Sequence, residues 1–472
     1  METRKVDALV IGAGPGGYVA AIRLAQLGKK TLVVDKEFVG GVCLNVGCIP
    51  SKAMINAAKT FEKTKAADKM GIIVESVHLD FAKLQDWKNG VVKKLTGGIG
   101  QLLKGNGADY LAGTAKFRSA KEVEVTTESG TVLVQAESVI IATGSRPIQI
   151  PGFPFGNRVM SSTEALNAES VPEKLVVIGG GYIGLELGTA YSKLGSAVTV
   201  VEGTDGLLPG VDPELVQVVA RKLKQKGVEV MLGAKAAGME EAGGKAVVKL
   251  DVGGKPQTVE ADKVLVTVGR RPNTENLGLE AIGVKLDSRG FIQVDGQLKT
   301  NVPGVYAIGD VAGQPMLAHK ASMEAEVAAE VIAGKKAVLD FKTVPAVIFT
   351  DPEIATCGMS PAEAQAAGRD VVIGKFLFAA SGKAMTSGET DGFVKVVVDK
   401  GTHEVLGFGI VGPQASDLVA EATLAIEMGA FVDDIGLTIH AHPTLPEALQ
   451  EAVKNAVGEA VHMINTPALS RK

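Results

Sequence analysis

The sequence predicts an α/β protein that contains two similar βαβ units and ends in an α+β domain of a different class. Two observations predict this class: a pattern of strand, glycine loop and helix occurs twice, and the strand pattern changes after about Phe341. A chain of 472 residues should fold into two to four domains, because a domain usually has about 100 to 200 residues.

The first unit has the order of strand, glycine loop, helix and a second strand that ends in an acid. Its parts are residues 5–11, the loop Gly12-x-Gly14-x-x-Gly17, residues 18–27 ended by Gly28, and residues 31–34 followed by Asp35. In such a loop the glycines permit a tight turn, a close approach to a pyrophosphate and packing of helix on strand. The helix N-terminus then faces the phosphates.

The second unit repeats this order. Its parts are residues 174–178, the loop Gly179-x-Gly181-x-x-Gly184, a helix to Leu194 ended by Gly195, and residues 197–201 followed by Glu202. In both copies the acid lies 23 residues after the first glycine. The sequence therefore predicts two Rossmann-like dinucleotide-binding domains with parallel sheets.

The spacing of the glycines alone is weak support, because 58 of the 472 residues are glycine and chance predicts about one such pattern. A third match, Gly407-x-Gly409-x-x-Gly412, runs into Pro413 and has Ala430 where the acid should be. We interpret it as a glycine-rich strand and turn. The first two matches are retained because strand, helix and acid agree in both.

Two further segments resemble each other, residues 139–147 with Thr143 and Gly144, and residues 264–272 with Gly269. Each predicts a buried strand and a tight turn that close a nucleotide-binding unit. In the last part of the chain, residues 376–378, 392–398 and 404–411 predict an antiparallel sheet, and residues 415–428 a helix. The predicted domains are 1–147 and 273–343 for the first nucleotide, 148–272 for the second, and 344–472.

Charge and hydropathy exclude several classes of partner. The chain carries 49 basic and 53 acidic side chains, so no single-signed field favours nucleic acid or an anionic membrane. The longest stretch without charge, residues 8–22, has 15 residues, short of the ~18 that predict a transmembrane helix. Strand-like residues from Val6 leave no room for a signal peptide. We expect a cytoplasmic protein, or a processed protein of the mitochondrial matrix.

Cys43 and Cys48 lie five positions apart just after the first unit. As a structural disulfide, a loop this short gains only roughly 2 kcal/mol, and a cytosolic environment would reduce it. Structural zinc needs four ligands, and no further Cys or His follows within 25 residues. A redox-active pair beside a flavin fits the spacing and the neighbours, and two inert buried cysteines are the remaining alternative.

The segment from Gly40 to Lys52 resembles the active-site signature of the flavin disulfide reductases, the class I pyridine nucleotide-disulfide oxidoreductases. Its Ile-Pro-Ser-Lys ending is most similar to the branch that acts on dihydrolipoyl groups. Residues 300–310 resemble the second FAD motif of the family, and residues 440–447 resemble its His-Pro-Thr segment. The resemblance extends from about residue 6 to residue 466.

The resemblance implies FAD and NAD as cofactors and no metal. The residues expected at FAD are Gly12, Gly14, Gly17, Asp35, Lys52, Thr143, Gly144 and Asp310. Those expected at NAD are Gly179, Gly181, Gly184, Glu202 and Gly269. A carboxylate at Glu202, with Arg221 as the next arginine along the chain, favours NAD over NADP, because a 2′-phosphate would meet an anion. An ordinary helix N-cap is the alternative interpretation of Asp310.

The resemblance also implies the catalytic groups. A substrate thiolate would attack Cys43, Cys48 would face the flavin, and Lys52 would pair with Glu186, which the pattern alone places on a helix surface. His442 is the expected general base, oriented by Glu447, although His440 competes for this role on residue type alone. In the family the base belongs to the other subunit of a homodimer built through the C-terminal domain.

The implied reaction passes two electrons from a protein-bound dihydrolipoyl group to NAD. The implied partner is a lipoylated acyltransferase or carrier protein of a 2-oxoacid dehydrogenase or glycine cleavage complex. A glutathione-type reductase is the nearest alternative, but that branch has arginines near the position of Glu202. A mercuric reductase is disfavoured because no cysteine follows Cys357. A redox-silent binding scaffold is the alternative from another class.

Overall fold

The computed structural model describes residues 2–465, so the last seven positions of the predicted domain 344–472 lie outside the described residues. The strands are β1 Glu2–Ile11, β2 Thr31–Asp35, β3 Ala108–Ala112, β4 Thr114–Ser119, β5 Glu122–Thr127, β6 Gly130–Ile141, β7 Ser145–Pro147, β8 Val159–Met160, β9 Lys174–Ile178, β10 Ala197–Val201, β11 Glu229–Met231, β12 Ala234–Ala242, β13 Lys245–Val252, β14 Lys255–Ala261, β15 Lys263–Val266, β16 Arg270–Pro272, β17 Val305–Ala307, β18 Ala346–Ile348, β19 Glu353–Gly358, β20 Val371–Leu377, β21 Phe393–Asp399 and β22 Val405–Gly412.

The helices lie between or after these strands, and none lies within the runs β3–β8 and β11–β16. They are α1 Pro15–Gln26, α2 Gly41–Val46, α3 Cys48–Lys65, α4 Phe81–Gly105, α5 Ser162–Leu166, α6 Tyr182–Leu194, α7 Pro213–Gln225, α8 Leu279–Ile282, α9 Ala318–Ile332, α10 Pro361–Ala366, α11 Gly382–Ser387, α12 Ala415–Met428, α13 Val432–Gly436 and α14 Glu447–Ala456. Short 3₁₀ helices span Ala67–Met70, Gly309–Val311 and Phe378–Ala380.

The chain divides into two compact units. Unit 1 combines the residues up to Pro172 with Lys263–Asp340, and unit 2 combines Glu173–Asp262 with the residues from Phe341 onward. The predicted segments 148–272 and 344–472 thus lie mainly in unit 2. Within residues 2–465, no helix has both the length and the apolar character that crossing a membrane requires.

The main sheet of unit 1 has the strand order β3-β2-β1-β6-β5-β4, and β17 also pairs with β6. Strands β3, β2, β1, β6 and β17 run parallel, whereas β6, β5 and β4 are antiparallel. The buried side chains of the central strands are mainly Ala, Val, Leu and Ile, which suits a sheet covered on both faces. Parallel pairing brings the carboxyl ends of β1 and β2 to the same edge, beside the first glycine loop.

Unit 2 contains the second βαβ unit and the predicted C-terminal sheet. Strand β10 lies between β9 and β11 in parallel register, and β12, β13 and β14 form an antiparallel sheet. The C-terminal sheet is antiparallel in the order β18-β19-β22-β21-β20. Helices α12 and α14 pack on it through buried apolar side chains. The predicted α/β class with a C-terminal α+β domain is therefore confirmed.

The predicted elements differ from the observed ones mainly at their ends. Helix α1 begins at Pro15, three residues before the predicted start, because proline fits the first helical position, where no N–H is required. The third glycine match lies in β22, as expected. The repeated segments 139–147 and 264–272 form more than the predicted turns, because their ends, β7 and β16, pair antiparallel with each other.

Candidate active site

The first glycine loop is held by Asp35 at the end of β2. The N–H of Ala13 donates to Oδ2 of Asp35 at 2.7 Å. Oδ1 accepts from the N–H groups of Glu37 and Phe38 at 2.8 and 2.9 Å. Both oxygens of the predicted ribose-binding acid therefore also organise the backbone around the loop.

The backbone around the same loop leaves no room for a Cβ atom at Gly12 or at Gly17. Gly12 has a φ of +109°, and a Cβ there would lie 2.2 Å from the carbonyl oxygen of Ala142. A Cβ on Gly17 would lie 1.9 Å from the carbonyl oxygen of Gly12, so α1 packs directly on the loop. Gly14 is the N-cap of α1 and has no side chain to occupy the helix N-terminus. This cradle fits a pyrophosphate.

The second glycine loop in unit 2 repeats these contacts. The N–H of Gly180 donates to Oε2 of Glu202 at 2.7 Å, as Ala13 does to Asp35. Thr204 donates to Oε1 through its N–H and its hydroxyl, at 2.7 and 2.9 Å. Gly179 has a φ of +108°, close to that of Gly12. The duplication predicted from sequence thus extends to the hydrogen bonds of the loop.

The remaining second-loop glycines lie at the start of α6. Gly181 is its N-cap and makes no side-chain cap, and Gly184 is buried in its first turn. The predicted Gly269 follows β15 with a φ of +126°, and it belongs to unit 1. The N–H of Ile148 donates to its carbonyl oxygen at 3.1 Å.

Asp310 lies in the 3₁₀ helix Gly309–Val311 rather than at a helix N-cap, so the alternative interpretation of this residue is wrong. The hydroxyl of Ser145 donates to its Oδ2 at 2.5 Å. Arg270 in turn donates to the Ser145 hydroxyl and carbonyl oxygens, at 2.8 and 2.7 Å. This series of hydrogen bonds fixes the Asp310 carboxylate through Ser145 and Arg270, two residues that the sequence analysis did not select.

Thr143 and Gly144 form the turn after β6, and Asn273 holds both of them. The Thr143 hydroxyl donates to the Asn273 carbonyl oxygen at 2.7 Å, and the Asn273 amide donates back to the Thr143 carbonyl oxygen at 2.9 Å. The N–H of Asn273 donates to the Gly144 carbonyl oxygen at 2.9 Å. Asn273 directly follows the second of the two Gly-x-Arg-Pro segments, and this repeat was the available signal for it.

The two cysteines lie on either side of the junction between helices α2 and α3. Cys43 belongs to α2, and Cys48 is the first residue of α3. Gly47 separates them, and a Cβ there would lie 2.8 Å from the carbonyl oxygen of Val42. Asn45 donates to the carbonyl oxygens of Val39 and Gly41, at 3.0 and 2.8 Å, and so holds α2 in place.

The side chains of Cys43 and Cys48 contact each other. The hydrogen bond of Cys43 to Cys48, followed by burial of the thiol and the charge of Cys48, raises the pKa of Cys43 well above its usual range. The nearby Lys52 ammonium lowers it by a smaller amount. Cys48 is the more exposed of the two and lies at a helix N-terminus, which favours an anion.

The start of the segment that carries the two cysteines contacts the first glycine loop through the backbone. The N–H of Gly40 donates to the carbonyl oxygen of Ala13 at 2.8 Å. A Cβ on Gly41, whose φ is +58°, would lie 2.5 Å from the Cα of Gly14. Gly41 is a further residue that sequence reasoning did not select, although the Gly40-Gly41 pair was a visible signal.

Lys52 and Glu186 belong to different units, Lys52 to α3 in unit 1 and Glu186 to α6 in unit 2. Glu186 is only 4% exposed, so the surface position that the pattern alone assigns to it is wrong. Its Oε1 accepts from the N–H of Phe349 at 2.9 Å. Their pairing beside a flavin remains a proposal.

His442 and Glu447 form a hydrogen-bonded pair in unit 2. Nδ1 of His442 lies 2.8 Å from Oε1 of Glu447, and the N–H of Thr444 donates to Oε2 at 2.7 Å. Burial raises the pKa of Glu447, but the bonds from Thr444 and His442 outweigh it, and the pKa lies below its ordinary value. The His442 side chain is 79% exposed, so the unit leaves its ring accessible.

His440 has the opposite environment, with only 6% of its side chain exposed. Its Nε2 lies 2.8 Å from Oε1 of Glu421, and its Nδ1 lies 2.9 Å from the carbonyl oxygen of Thr438. Because both ring nitrogens are engaged, His440 is a poor candidate for the base. Cys357 is 3% exposed and packs within the core of the C-terminal sheet as a small hydrophobic side chain.

Comparisons with known proteins identify the family of the chain. Residues 6–325 match the family model of the pyridine nucleotide-disulphide oxidoreductases, and residues 344–453 match the dimerisation domain of the same family. The second match supports a homodimer.

The chain is 52% identical to the dihydrolipoyl dehydrogenase of Geobacillus stearothermophilus and 51% identical to that of Bacillus subtilis, each over 98% of both chains. Among solved structures, LpdA of Mycobacterium tuberculosis has a TM-score of 0.89 and 28% identity, over 95% of this chain and 99% of that one. The disulfide reductase RclA of Escherichia coli, induced by HOCl, has a TM-score of 0.86 and 26% identity, over 95% and 99%. The chain therefore belongs to the pyridine nucleotide-disulphide oxidoreductase family.

Proposed function

We propose that this chain is a dihydrolipoyl dehydrogenase, which oxidises protein-bound dihydrolipoyl groups and reduces NAD to NADH. The observation that carries the proposal is the identity of about half of all residues, over nearly the whole chain, to proteins with that activity. The cysteine pair and the His442–Glu447 pair supply the groups that the reaction requires. The cofactors are FAD and NAD.

The glycine loops fit these cofactors because each presents a glycine-lined helix N-terminus and a carboxylate at the end of the second strand. In unit 1, FAD would be held by Gly12, Gly14, Gly17, Asp35, Thr143, Gly144 and Asp310, with Lys52 beside it. In unit 2, NAD would be held by Gly179, Gly181, Gly184 and Glu202. When bound, FAD supplies the two-electron exchange between the cysteine pair and NAD.

In the oxidised enzyme Cys43 and Cys48 are joined as a disulfide. His442 takes the proton of one substrate thiol, and the resulting thiolate attacks Cys43. A substrate–Cys43 disulfide forms, the Cys43–Cys48 bond breaks, and Cys48 leaves as a thiolate. The sulfur of the second substrate thiol then displaces Cys43, which takes up the proton of that thiol and leaves as a thiol, and the lipoyl disulfide closes. Two electrons have passed to the cysteine pair.

The environment of the pair supports these separate roles. The contact with Cys48 and burial of the thiol raise the pKa of Cys43, which favours the protonated form of Cys43 in the reduced pair. Cys48 is the first residue of α3, where a thiolate is favoured, and we assign the negative charge of the reduced pair to it. Glu447 orients His442 and compensates the charge on the ring when it holds the substrate proton.

The substrate arm would belong to a lipoylated acyltransferase or a lipoyl carrier protein of a 2-oxoacid dehydrogenase or glycine cleavage complex. A cytoplasmic location is part of the proposal, because a cycling cysteine pair suits a reducing compartment. A glutathione-type reductase is disfavoured by Glu202, whose carboxylate would repel a 2′-phosphate.

An anaerobic titration tests the proposal. The purified holoenzyme should be yellow, and dihydrolipoamide should bleach its visible absorbance, which NAD then restores. Glutathione at the same thiol concentration is the comparison substrate. A colourless protein, or a colour that dihydrolipoamide leaves unchanged, would refute the assignment. Bleaching by glutathione alone would favour the alternative branch.

A further inference from the structure

The segment between α13 and α14 carries two histidines, and the structure gives them different tasks. His442 is exposed and bonded to one carboxylate, whereas His440 is buried and bonded through both ring nitrogens. The partner of Nε2, Glu421, is on α12, 19 residues earlier in the chain. His440 thus connects the segment before His442 to a helix that packs on the C-terminal sheet.

The carbonyl oxygen of Thr438 is held from two sides. It lies 2.9 Å from Nδ1 of His440 and accepts from Nε2 of Gln450, on α14, at 2.7 Å. The same Gln450 nitrogen lies 3.1 Å from the carbonyl oxygen of Gly436. Helices α12 and α14 therefore both anchor the start of the segment, and His440 is the side chain that joins the two anchors.

The end of the segment is held by Glu447. Its carboxylate binds the His442 ring and the N–H of Thr444. The Thr444 hydroxyl donates to the carbonyl oxygen of Ala441 at 2.7 Å. His442 thus lies between an anchor at His440 and an anchor at Thr444, and Glu447 alone fixes only the second one.

We propose that His440 is a positioning residue that fixes the backbone of His442 through Glu421 and the Thr438 carbonyl group. The proposal rests on the role of His442 as base in the proposed function. A general base must stay within hydrogen-bonding reach of the proton that it takes, and misplacement by about 1 Å can lower the rate up to about 10²-fold. Without the first anchor, the Glu447 contact would still orient the ring but not its backbone.

The test compares two reactions of each holoenzyme. Oxidation of dihydrolipoamide by NAD requires the base, whereas reduction of ferricyanide by NADH requires no thiol exchange and therefore no His442. In His440→Ala, we expect kcat with dihydrolipoamide to fall about tenfold, while ferricyanide reduction and FAD content stay unchanged. His78→Ala, an exposed histidine in unit 1, is the control and should leave both reactions unchanged.

Conservative variants separate positioning from packing. His440→Gln keeps a donor that can reach Glu421, and it should restore most of the dihydrolipoamide activity. Glu421→Ala should reproduce the loss of His440→Ala, and the double variant should lose little more, because the two side chains act through one contact.

The outcomes are distinct. An equal loss in both reactions would reduce His440 to a structural residue, and no loss in either would remove it from the mechanism. Additive losses in the double variant would also overturn the proposal. If the unmodified enzyme oxidises no dihydrolipoamide, it is the proposed function that fails.

Discussion

Nδ1 of His442 lies 2.8 Å from Oε1 of Glu447, and the other oxygen of this carboxylate accepts from the N–H of Thr444. One glutamate thus fixes the ring and the backbone two residues beyond it. The pKa of Glu447 is below its ordinary value, so the carboxylate is charged at neutral pH. The stabilisation that the charged Glu447 carboxylate provides is present above the ordinary carboxyl pKa. It is lost as the pH falls through the lowered pKa of Glu447.

Replacing His442 with Gln should slow turnover with dihydrolipoamide by roughly 10²- to 10⁴-fold, the usual contribution of a general base. Glu447→Gln should cost less than His442→Gln, because the base remains but loses its charged partner. His440→Gln should cost the least. Steady-state kcat measured above pH 7 checks the order, and a larger loss at His440 than at His442 would reverse the assignment of the base.

The cysteine roles predict different spectra for the two serine variants. Cys48→Ser should abolish the long-wavelength absorbance of a thiolate beside the flavin in the two-electron-reduced enzyme. Cys43→Ser should keep a thiolate in that place, because Cys48 remains at the N-terminus of α3. Absorbance spectra under anaerobic reduction decide between them. The opposite pattern would mean that the two sulfur roles are exchanged.

Glu202 predicts the nicotinamide preference. Its carboxylate is 8% exposed and is held at the second glycine loop by Gly180 and Thr204. It therefore cannot turn away from a 2′-phosphate without losing these bonds. We expect kcat/KM for NADH to exceed that for NADPH by more than about tenfold, which one repulsive contact of ~1.4 kcal/mol would give. Equal efficiencies would contradict the NAD assignment.

A buried lysine in unit 2 predicts a stability effect with a matched control. The side chain of Lys395 is 4% exposed, and its Nζ lies 2.6 Å from Oδ2 of Asp212 and also binds Glu214. Lys375 binds the same glutamate, but its side chain is 33% exposed. Lys395→Met should destabilise the protein by about 3 kcal/mol, because it leaves a carboxylate unpaired. Lys375→Met should cost less than about 1 kcal/mol. Urea unfolding midpoints measure both.

The stability that Lys395→Met removes should also depend on pH. The hydrogen bond from Lys395 lowers the pKa of Glu214. Burial raises this pKa, but the hydrogen bond from Lys375 lowers it further, so the pKa lies below its ordinary value. The stabilisation is therefore present above the ordinary carboxyl pKa and is lost as the pH falls through the lowered value. The difference between the unmodified protein and Lys395→Met should shrink in acid. A difference that grows below pH 4 would contradict this account.

Local signals predict much of the fold. The second unit follows its prediction closely: α6 ends at Leu194, and Gly195, with a φ of +117°, ends it as expected. Strand β10 and helix α12 also have the predicted bounds. In each case a glycine or a charged residue next to an apolar run marks the end, and this information is contained within a few residues.

Long-range contacts explain what the pattern alone could not predict. Glu186 looks like a surface residue of α6, but Phe349, 163 positions later, donates its N–H to the side chain. Asp310 is fixed by Ser145, 165 positions earlier. The choice between His440 and His442 depends on Glu421 and Glu447, and only the resemblance to a family favoured His442 before the structure did.

The last prediction concerns which subunit supplies the base. Cys43 lies in unit 1 and His442 in unit 2, about 400 residues apart in sequence, and the family resemblance implies that His442 serves the disulfide of the other subunit. Co-expression of a Cys43→Ser chain with a His442→Gln chain tests this. With the base in trans, each mixed dimer has one intact site and one site with both defects. Random pairing makes about half of all dimers mixed, so roughly a quarter of the unmodified activity should return for a two-fold dimer.

With the base in cis, every site in the mixture carries one defect, and activity should stay at the level of the parents. Two different affinity tags allow the mixed dimers to be isolated, which removes the uncertainty of random pairing. The isolated mixed dimer should then show about half the activity of a dimer with two intact sites. Tagged mixed dimers without activity above the parents would show that each chain uses its own histidine.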